Sequence, residues 1–372
     1  MSLSPPIGHE SALALLRRAA ALGRLGQAYL FVGPSGIGKR RVARHLLQGL
    51  FCQRNDPKAL DPCGECVSCR HFLAGTHPDV VEVSKPPEKN EFPIAVMQDL
   101  CKALSLTPSV GTRRAAIVDD VEFFNDESAN SFLKTLEEPP QGSLLILITS
   151  DEESVLATIR SRCQLIRFRP LAESEVVAVL KRVKPEIATP DAERLASLAE
   201  GSAGLALELA SPEWQEARKM LIAHLAAGPA PGFEIAKELQ KFVDAAGKDS
   251  APKSKRGRDA VEDDEDEVQG TAGARKRRRA RDVVRIAASF VREALVCREI
   301  GVRPESPLER EPVERLARRL ASPALVDLLE RCLQADAHLG RYLGIPLTME
   351  CWLDDLAQIG AGRYVPPVGA RW

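Results

Sequence analysis

Two absences narrow the class of protein. The start of the chain has no basic segment followed by an apolar one, and no run of about 18 apolar residues occurs in the sequence. We therefore expect a protein without an export signal or a membrane span, located in the cytoplasm. No Ser-His-Asp or Cys-His set occurs at an informative spacing, so nothing indicates a hydrolase of those classes.

Net charge is also nearly absent, because 51 basic residues oppose 52 acidic ones among 372 residues. Hydrophobic residues make up 44% of the chain, which is enough for two or three domains with packed cores. The nine cysteines, in a chain without an export signal, indicate reduced thiols or metal ligands rather than disulfides.

One residue is missing from an otherwise complete phosphate-binding motif. The run that starts at Gly33 follows G-x-x-x-x-G-K-[ST] up to its last position, where Arg40 replaces the Ser or Thr. That hydroxyl normally binds the Mg²⁺ that bridges nucleotide phosphates. The residues that can still offer N–H groups or an ammonium to an anion are Gly33, Gly36, Gly38 and Lys39. ATP and Mg²⁺ are therefore expected only at a degenerate site.

Short apolar segments alternate with helical patterns in the first half, which predicts an α/β domain with a mostly parallel sheet. The predicted strands are Ala28–Val32, Val80–Val83, Ala115–Val118, Leu144–Thr149 and Gln164–Phe168. Strand patterns end near Leu171, and the remainder of the chain is predicted to be helical. Residues 248–281 hold basic and acidic blocks and no aromatic residue, so we expect them to be disordered. A solvated insertion and a basic tether for DNA phosphates both fit that composition.

Three cysteines at regular spacing, Cys63, Cys66 and Cys69, with Cys52 upstream, predict a metal site. Four thiolates form a closed tetrahedral Zn²⁺ site, which is structural because no position stays open for water. The fourth ligand is less firmly specified than the other three, and His71 competes with Cys52 for that place. Ordinary buried cysteines are the alternative interpretation of the cluster.

Two further motifs fit a nucleotide site. Asp119 and Asp120 end an apolar segment, where the first carboxylate could help to hold Mg²⁺ and the second could polarise water. Solvated acids at a strand end are the alternative. Arg162 precedes the last predicted strand, and it fits a surface residue, a partner of an acid, or a finger that reaches a neighbour's γ-phosphate.

These motifs, with the runs AYLFV, GTHPD, FLKTLEEPP and SRC, resemble the bacterial clamp-loader subunits of DNA polymerase III, most closely the delta-prime type. The similarity covers about Ile7 to Pro170, and the C-terminal half matches only loosely. The resemblance implies an AAA+ core over 1–170 with a zinc module over 52–69. It also implies a helical lid over 171–211 and an all-α collar domain over 212–372.

The resemblance implies a subunit that assists ATP-dependent loading of a sliding clamp on primed DNA, with gamma/tau and delta subunits as partners. In such rings the arginine of the SRC run acts on a neighbour's ATP, which assigns that role to Arg162. Three departures favour delta-prime over a gamma/tau motor: Arg40 in the loop, Asp120 in place of Glu, and Gly204 where motors carry an arginine. We therefore expect no hydrolysis by this chain and no polymerase site in it. The alternative is an active gamma/tau-like ATPase.

Overall fold

The computed structural model describes residues 5–86, 89, 91–228, 232–246, 265–304, 307–340 and 344–363. In the first half the elements are α1 (Glu10–Ala21), β1 (Ala28–Val32), α2 (Lys39–Leu50), α3 (Val67–Ala74), β2 (Val80–Val83), α4 (Ile94–Ser105), β3 (Arg114–Val118), α5 (Asp126–Glu137), β4 (Ser143–Thr149), α6 (Ala157–Arg160) and β5 (Gln164–Arg167). The later helices are α7 (Glu173–Val183), α8 (Thr189–Leu198), α9 (Ala203–Leu209), α10 (Pro212–Ala227), α11 (Gly232–Ala245), α12 (Glu265–Ile300), α13 (Pro307–Arg319), α14 (Ser322–Gly340) and α15 (Ile345–Gly360). None of these helices is long and apolar enough to span a bilayer.

The five strands form one parallel sheet in the order β2-β3-β4-β1-β5. Every residue of β1, β3 and β4 is buried, as expected for central strands that helices cover on both faces. Two apolar cores lie on opposite faces of the sheet, one around Phe31 and Leu46 and the other around Leu30 and Phe132. The predicted strands are confirmed to within one residue at each end.

The helix between β3 and β4 shows how local sequence sets an element boundary. The Asn125 side chain accepts a hydrogen bond of 2.8 Å from the N–H of Ser128, which satisfies a donor that the first helical turn leaves unpaired. Ala129, Phe132 and Leu136 form the buried face of α5. Pro139 and Pro140 follow the helix and prevent its continuation.

The chain divides into two compact units. The first comprises residues 1–187 and 199–207, and the second comprises residues 188–198 and 208–372. The helices of the expected lid are divided between these units, because α7 falls in the first and α8 in the second. The division into core, lid and collar domains therefore stays a prediction.

Among the described residues of the second unit, every regular element is a helix, and α12 packs against both α13 and α14. A buried ion pair joins two of its helices, since Arg218 on α10 contacts Glu309 on α13 at 2.5 Å with both side chains about 7% exposed. A pair of this kind is costly to break, because either partner alone would be a buried unpaired charge.

The expected disorder of residues 248–281 is wrong for its last part. Residues 265–281 lie in α12, while residues 247–264 fall outside the described parts of the chain. The basic side chains that led to the prediction of disorder form contacts within the second unit. Arg281 forms a two-point contact with Asp336 at 2.7 and 2.8 Å, and Arg279 stacks 4.8 Å from the Phe242 ring centre. Composition alone does not reveal such partners, because they are distant in sequence.

Candidate functional site

The phosphate loop connects the central strand β1 to helix α2. Gly36 and Gly38 have φ values of 77° and 103°, in the left-handed region that residues with a Cβ rarely adopt. Gly38 is also the residue at which α2 begins, so the loop leads directly to the positive end of a helix. The motif therefore has the backbone form of a phosphate-binding loop.

Five consecutive carbonyl groups of this loop accept hydrogen bonds. The Lys39 ammonium donates to the carbonyls of Gly33 at 2.5 Å and Pro34 at 2.8 Å. The carbonyl of Ser35 accepts from the Ser202 hydroxyl at 3.0 Å, and that of Gly36 accepts from the Gly204 N–H at 2.8 Å. The His9 ring lies 2.8 Å from the carbonyl of Ile37. The loop is thus held in place through these acceptors and through the Gly33 N–H, which donates to the carbonyl of Thr149 at 3.4 Å.

Gly204 has a direct role in that arrangement. A Cβ added at position 204 would lie 3.0 Å from the Cα of Gly36 and 3.2 Å from its carbonyl oxygen. A long side chain there would push the two segments apart. The sequence prediction noted the absence of an arginine at this position, and the structure adds that the glycine allows a close backbone contact with the loop.

Arg40, at the position of the missing hydroxyl, is part of an ion-pair network. Its guanidinium contacts Glu82 at 2.9 Å, and Arg44 reaches the other oxygen of the same carboxylate at 3.1 Å. Glu82 lies on β2, and Arg40 and Arg44 are one turn apart on α2. A guanidinium offers donors only and cannot bind a metal ion. The expected Mg²⁺ site is therefore incomplete, and a cation already stands where its protein ligand would be.

A cavity of about 280 Å³ adjoins the loop. It is lined by Ser35, Gly36, Gly38, Lys39, Arg40, Asp119, Asp120, Glu122, Ile148 and Ser150. The structure thus brings the predicted phosphate loop and the predicted acids to one site, at the carboxyl edge of the sheet. Glu122 and Ser150 were not predicted, and the Ser150 hydroxyl donates to Glu122 at 2.5 Å. A polar residue just after the long apolar strand β4 was the available signal for Ser150.

Burial changes the ionisation of the groups that line this cavity. It raises the pKa of Asp120 to about 6, with further increases from the nearby charges of Asp119 and Glu122. It also raises the pKa of Asp119, an effect that Arg40 opposes. Burial lowers the pKa of the Lys39 ammonium, which the same carboxylates partly restore. Asp120 has φ 64°, so the turn after β3 is held in an unusual conformation.

Arg162 lies at the opposite edge of the sheet from its own phosphate loop. It precedes β5, which runs parallel to β1 with Gln164 beside Tyr29 and Arg167 beside Val32. The three residue steps from the first pair to the second span ~10 Å, so the amino end of β5 is far from the loop that follows β1. The Arg162 guanidinium is one-third exposed and contacts Glu137 at 2.5 Å. Arg162 therefore lies well outside its own nucleotide site.

The four predicted cysteines form one cluster, with all sulfur atoms within 4.8 Å of one another. A tetrahedral ion with metal–sulfur bonds of ~2.3 Å places its ligands ~3.8 Å apart, so the cluster fits a bound metal. Cys52 takes the fourth place, whereas the ring of His71 lies beside the Thr76 hydroxyl at 3.3 Å. Cys66 begins α3, and Gly64 has φ 75° in the turn before it.

Backbone N–H groups point at these sulfur atoms, as expected for thiolates. Cys66 donates to the sulfur of Cys63, and Cys69 donates to that of Cys66, both at 3.4 Å. N–H donors from Glu65 and Cys66 lower the pKa of Cys63 to about 6, while burial raises the pKa of Cys69. The donor set of four sulfurs is that of a structural Zn²⁺ site.

His77 and Asp79, in the GTHPD run, have structural roles. The His77 ring packs against Phe51 and Phe72 with centroids 5.0 and 4.7 Å apart, and its Nε2 lies 3.0 Å from the Ser68 hydroxyl. The fully buried Asp79 accepts hydrogen bonds from three successive N–H groups of residues 109–111.

The sheet order, with the phosphate-loop strand between β4 and β5, is that of the α/β fold of AAA+ proteins, as predicted. Residues 8–172 match the model of a family described as "DNA polymerase III, delta subunit". The predicted resemblance to delta-prime-type clamp-loader subunits is confirmed over this region.

Similar proteins extend the comparison. The delta-prime subunit of DNA polymerase III from Pseudomonas aeruginosa is 36% identical over 197 residues, which are 52% of this chain and 59% of that protein. The tau subunit from Escherichia coli is 32% identical over 207 residues, or 55% of this chain and 31% of tau. The chain thus spans three fifths or less of the length of these two relatives. A gamma-subunit-related structure from Thermotoga maritima covers 94% of this chain at 16% identity, with a TM-score of 0.39.

Proposed function

We propose that this chain is a delta-prime-like subunit of a bacterial clamp loader. It would assist the ATP-dependent loading of a sliding clamp on primed DNA, together with gamma/tau and delta subunits, in the cytoplasm at the replisome. It would act as a stator that donates Arg162 to a neighbour's ATP site without hydrolysing ATP itself. The polymerase reaction would belong to other subunits of the holoenzyme.

The observation that carries this proposal is the difference between the two edges of one sheet. At the carboxyl edge, Arg40 stands in place of the metal-binding hydroxyl and pairs with Glu82. At the amino edge, Arg162 is partly exposed and distant from its own loop. A guanidinium supplied from a neighbouring subunit stabilises charge that develops on a γ-phosphate and is worth about 10³ to 10⁵ in rate in other nucleotide hydrolases.

The test is ATP hydrolysis by a mixture of this chain with gamma/tau, delta, clamp and primed DNA. Arg162→Ala should reduce ATP turnover at the neighbouring site that faces it by at least about 10²-fold. Arg167→Ala is a matched control, since Arg167 is also an exposed arginine that pairs with an acid, at 3.0 Å from Glu152. Full activity at every site of the Arg162→Ala assembly would refute the proposal.

The second candidate is an active gamma/tau-like ATPase. Its support is the intact Gly38 and Lys39 in a loop of the right backbone form. It predicts ATP hydrolysis by the isolated chain that collapses with Lys39→Ala. The stator proposal predicts no hydrolysis by the isolated chain, so one assay distinguishes the two.

We also propose that the four cysteines hold a structural Zn²⁺. The residues would supply four thiolates and leave no open position for a substrate or water. The ion would join the segment after α2 to the start of α3 and would take no part in nucleotide chemistry. Its expected effect is on the stability of the first unit.

A further inference from the structure

The residues of the phosphate loop do not fit the expected Mg²⁺, because Arg40 stands where a hydroxyl would bind the ion. We propose that the loop is a metal-free binding site for a compact phosphate anion of the pyrophosphate class, in which the Arg40 guanidinium takes the place of the metal ion. The proposal concerns this chain alone and does not depend on its membership of a clamp loader.

The first argument is charge placement. In a metal-dependent site, the cation lies between the phosphates and the acids after the neighbouring strand. Here Arg40 lines the same cavity as Asp119 and Asp120. The guanidinium therefore supplies a positive charge at the cavity where a metal ion would otherwise lie between the phosphates and these acids. A planar guanidinium with several donors also binds phosphate oxygens directly.

The second argument is the form of the loop. Its carbonyls at positions 33–37 all accept hydrogen bonds from Lys39, Ser202, Gly204 or His9. Among the described residues, no backbone carbonyl accepts a hydrogen bond from the N–H groups of Gly36 or Gly38. With its acceptors engaged elsewhere, the loop offers its donors to an anion, in the manner of a backbone nest. Because the loop is already ordered, anion binding would cost little further conformational free energy.

The third argument is the size and lining of the cavity. Ligand pockets for drug-sized molecules are mostly apolar and measure about 300–1,000 Å³. This cavity has about 280 Å³, and Ile148 is the one large apolar side chain in its lining. Such a surface suits a phosphate chain and supplies no stacking platform for a base. An inorganic diphosphate is therefore a better match than a whole nucleotide.

The experiment is calorimetric titration of the purified full chain with inorganic pyrophosphate, first in EDTA and then in Mg²⁺. The wild type should bind in EDTA, and Mg²⁺ should weaken the binding because it sequesters the free anion. Arg40→Ser, which restores the usual motif, should lose at least tenfold in EDTA and should gain affinity when Mg²⁺ is added. Lys39→Ala should bind in neither buffer.

Arg44→Ala is the matched control, since Arg44 pairs with the same Glu82 but does not line the cavity. Its affinity should stay within twofold of the wild type, and thermal unfolding should show that all variants are folded. Wild-type binding that requires Mg²⁺ would overturn the proposal, as would an absence of binding in EDTA. Unchanged binding by Lys39→Ala would place the anion elsewhere and would also overturn it. Because no partner subunit is present, these outcomes are independent of the clamp-loader proposal.

Discussion

The two edges of the parallel sheet differ in what they can still do. At the carboxyl edge, the loop after β1 keeps its lysine and its glycines, but Arg40 and Glu82 occupy the region of the metal-binding hydroxyl. At the amino edge, Arg162 has one acidic partner and remains partly exposed. Under the proposed function, the subunit would lose its own nucleotide chemistry and keep the group that serves a neighbour, because the two groups lie at opposite ends of the strands.

The largest expected effect comes from the amino edge. In the assembly, Arg162→Lys should restore little of the activity that Arg162→Ala loses, and both should reduce turnover at the facing site by about 10²-fold or more. A lysine carries the charge but lacks the planar fork that contacts two phosphate oxygens. Single-turnover hydrolysis in the reconstituted assembly measures this difference. Wild-type rates for Arg162→Lys would show that charge alone is sufficient there.

A change in the cysteine cluster should destabilise the first unit as a whole, and it should not act selectively on the phosphate-loop edge or on the Arg162 edge of the sheet. Removal of Zn²⁺ by a chelator, or Cys66→Ser, should lower the stability by roughly 3 kcal/mol or more, since metal binding contributes directly to folding. Thermal unfolding with a metal assay measures both quantities. Cys101→Ser is a suitable control, because Cys101 lies outside the cluster on α4. Equal stability of the chelated and untreated protein would argue against a structural metal.

At the carboxyl edge, Asp120→Asn should stabilise the folded chain at pH 7.5. The pKa of Asp120 is raised from 3.8 to about 6, so the folded state holds its proton more tightly than the unfolded state between these values. Wild-type stability therefore falls as the pH rises from about 4 to about 6, and the asparagine variant avoids that loss. The gain, reduced for partial exposure, should be about 1–2 kcal/mol at pH 7.5 and should vanish below pH 4. Denaturant titrations at both pH values measure it, and a gain of equal size at both would contradict the assignment.

The smallest expected effect concerns Glu137, the acidic partner of Arg162. Glu137→Gln removes the carboxylate that contacts Arg162, and an exposed pair of this kind is worth about 0.2–1 kcal/mol. Release of the arginine should therefore raise ATP turnover in the assembly by at most about fivefold. Glu138→Gln is a control, since Glu138 is the adjacent exposed acid. A fall in turnover would show that Glu137 positions the arginine for its role and does not restrain it.

Sequence patterns predicted the parts of this molecule that depend on local chemistry. The five strands and the cysteine spacing follow from neighbouring residues, and the structure places the strands as expected and brings the four sulfur atoms together. The pairing of Arg40 with Glu82 could not be predicted, because it joins α2 to a strand 42 residues away. The contact of Gly204 with the loop could not be predicted either, because Gly204 is also distant from the loop in sequence.

The charged segment 248–281 shows the opposite failure. A run of arginines with few apolar neighbours is typical of a disordered tether, yet Arg279 and Arg281 pack against aromatic and acidic side chains of other helices. The composition of a segment indicates the free-energy cost of burying its charged residues. It does not reveal the partners, distant in sequence, that offset this cost. The tether interpretation remains a prediction for residues 248–264, which lie outside the described residues.

The central claim is that this chain supplies chemistry to a neighbour and has none of its own, and one measurement tests it most directly. Steady-state ATP hydrolysis is followed for the purified chain alone, and then for the chain with gamma/tau and delta subunits, the clamp and primed DNA. The account predicts no turnover above background for the isolated chain, and stimulation of the mixture that Arg162→Ala removes. Hydrolysis by the isolated chain that Lys39→Ala abolishes would contradict it.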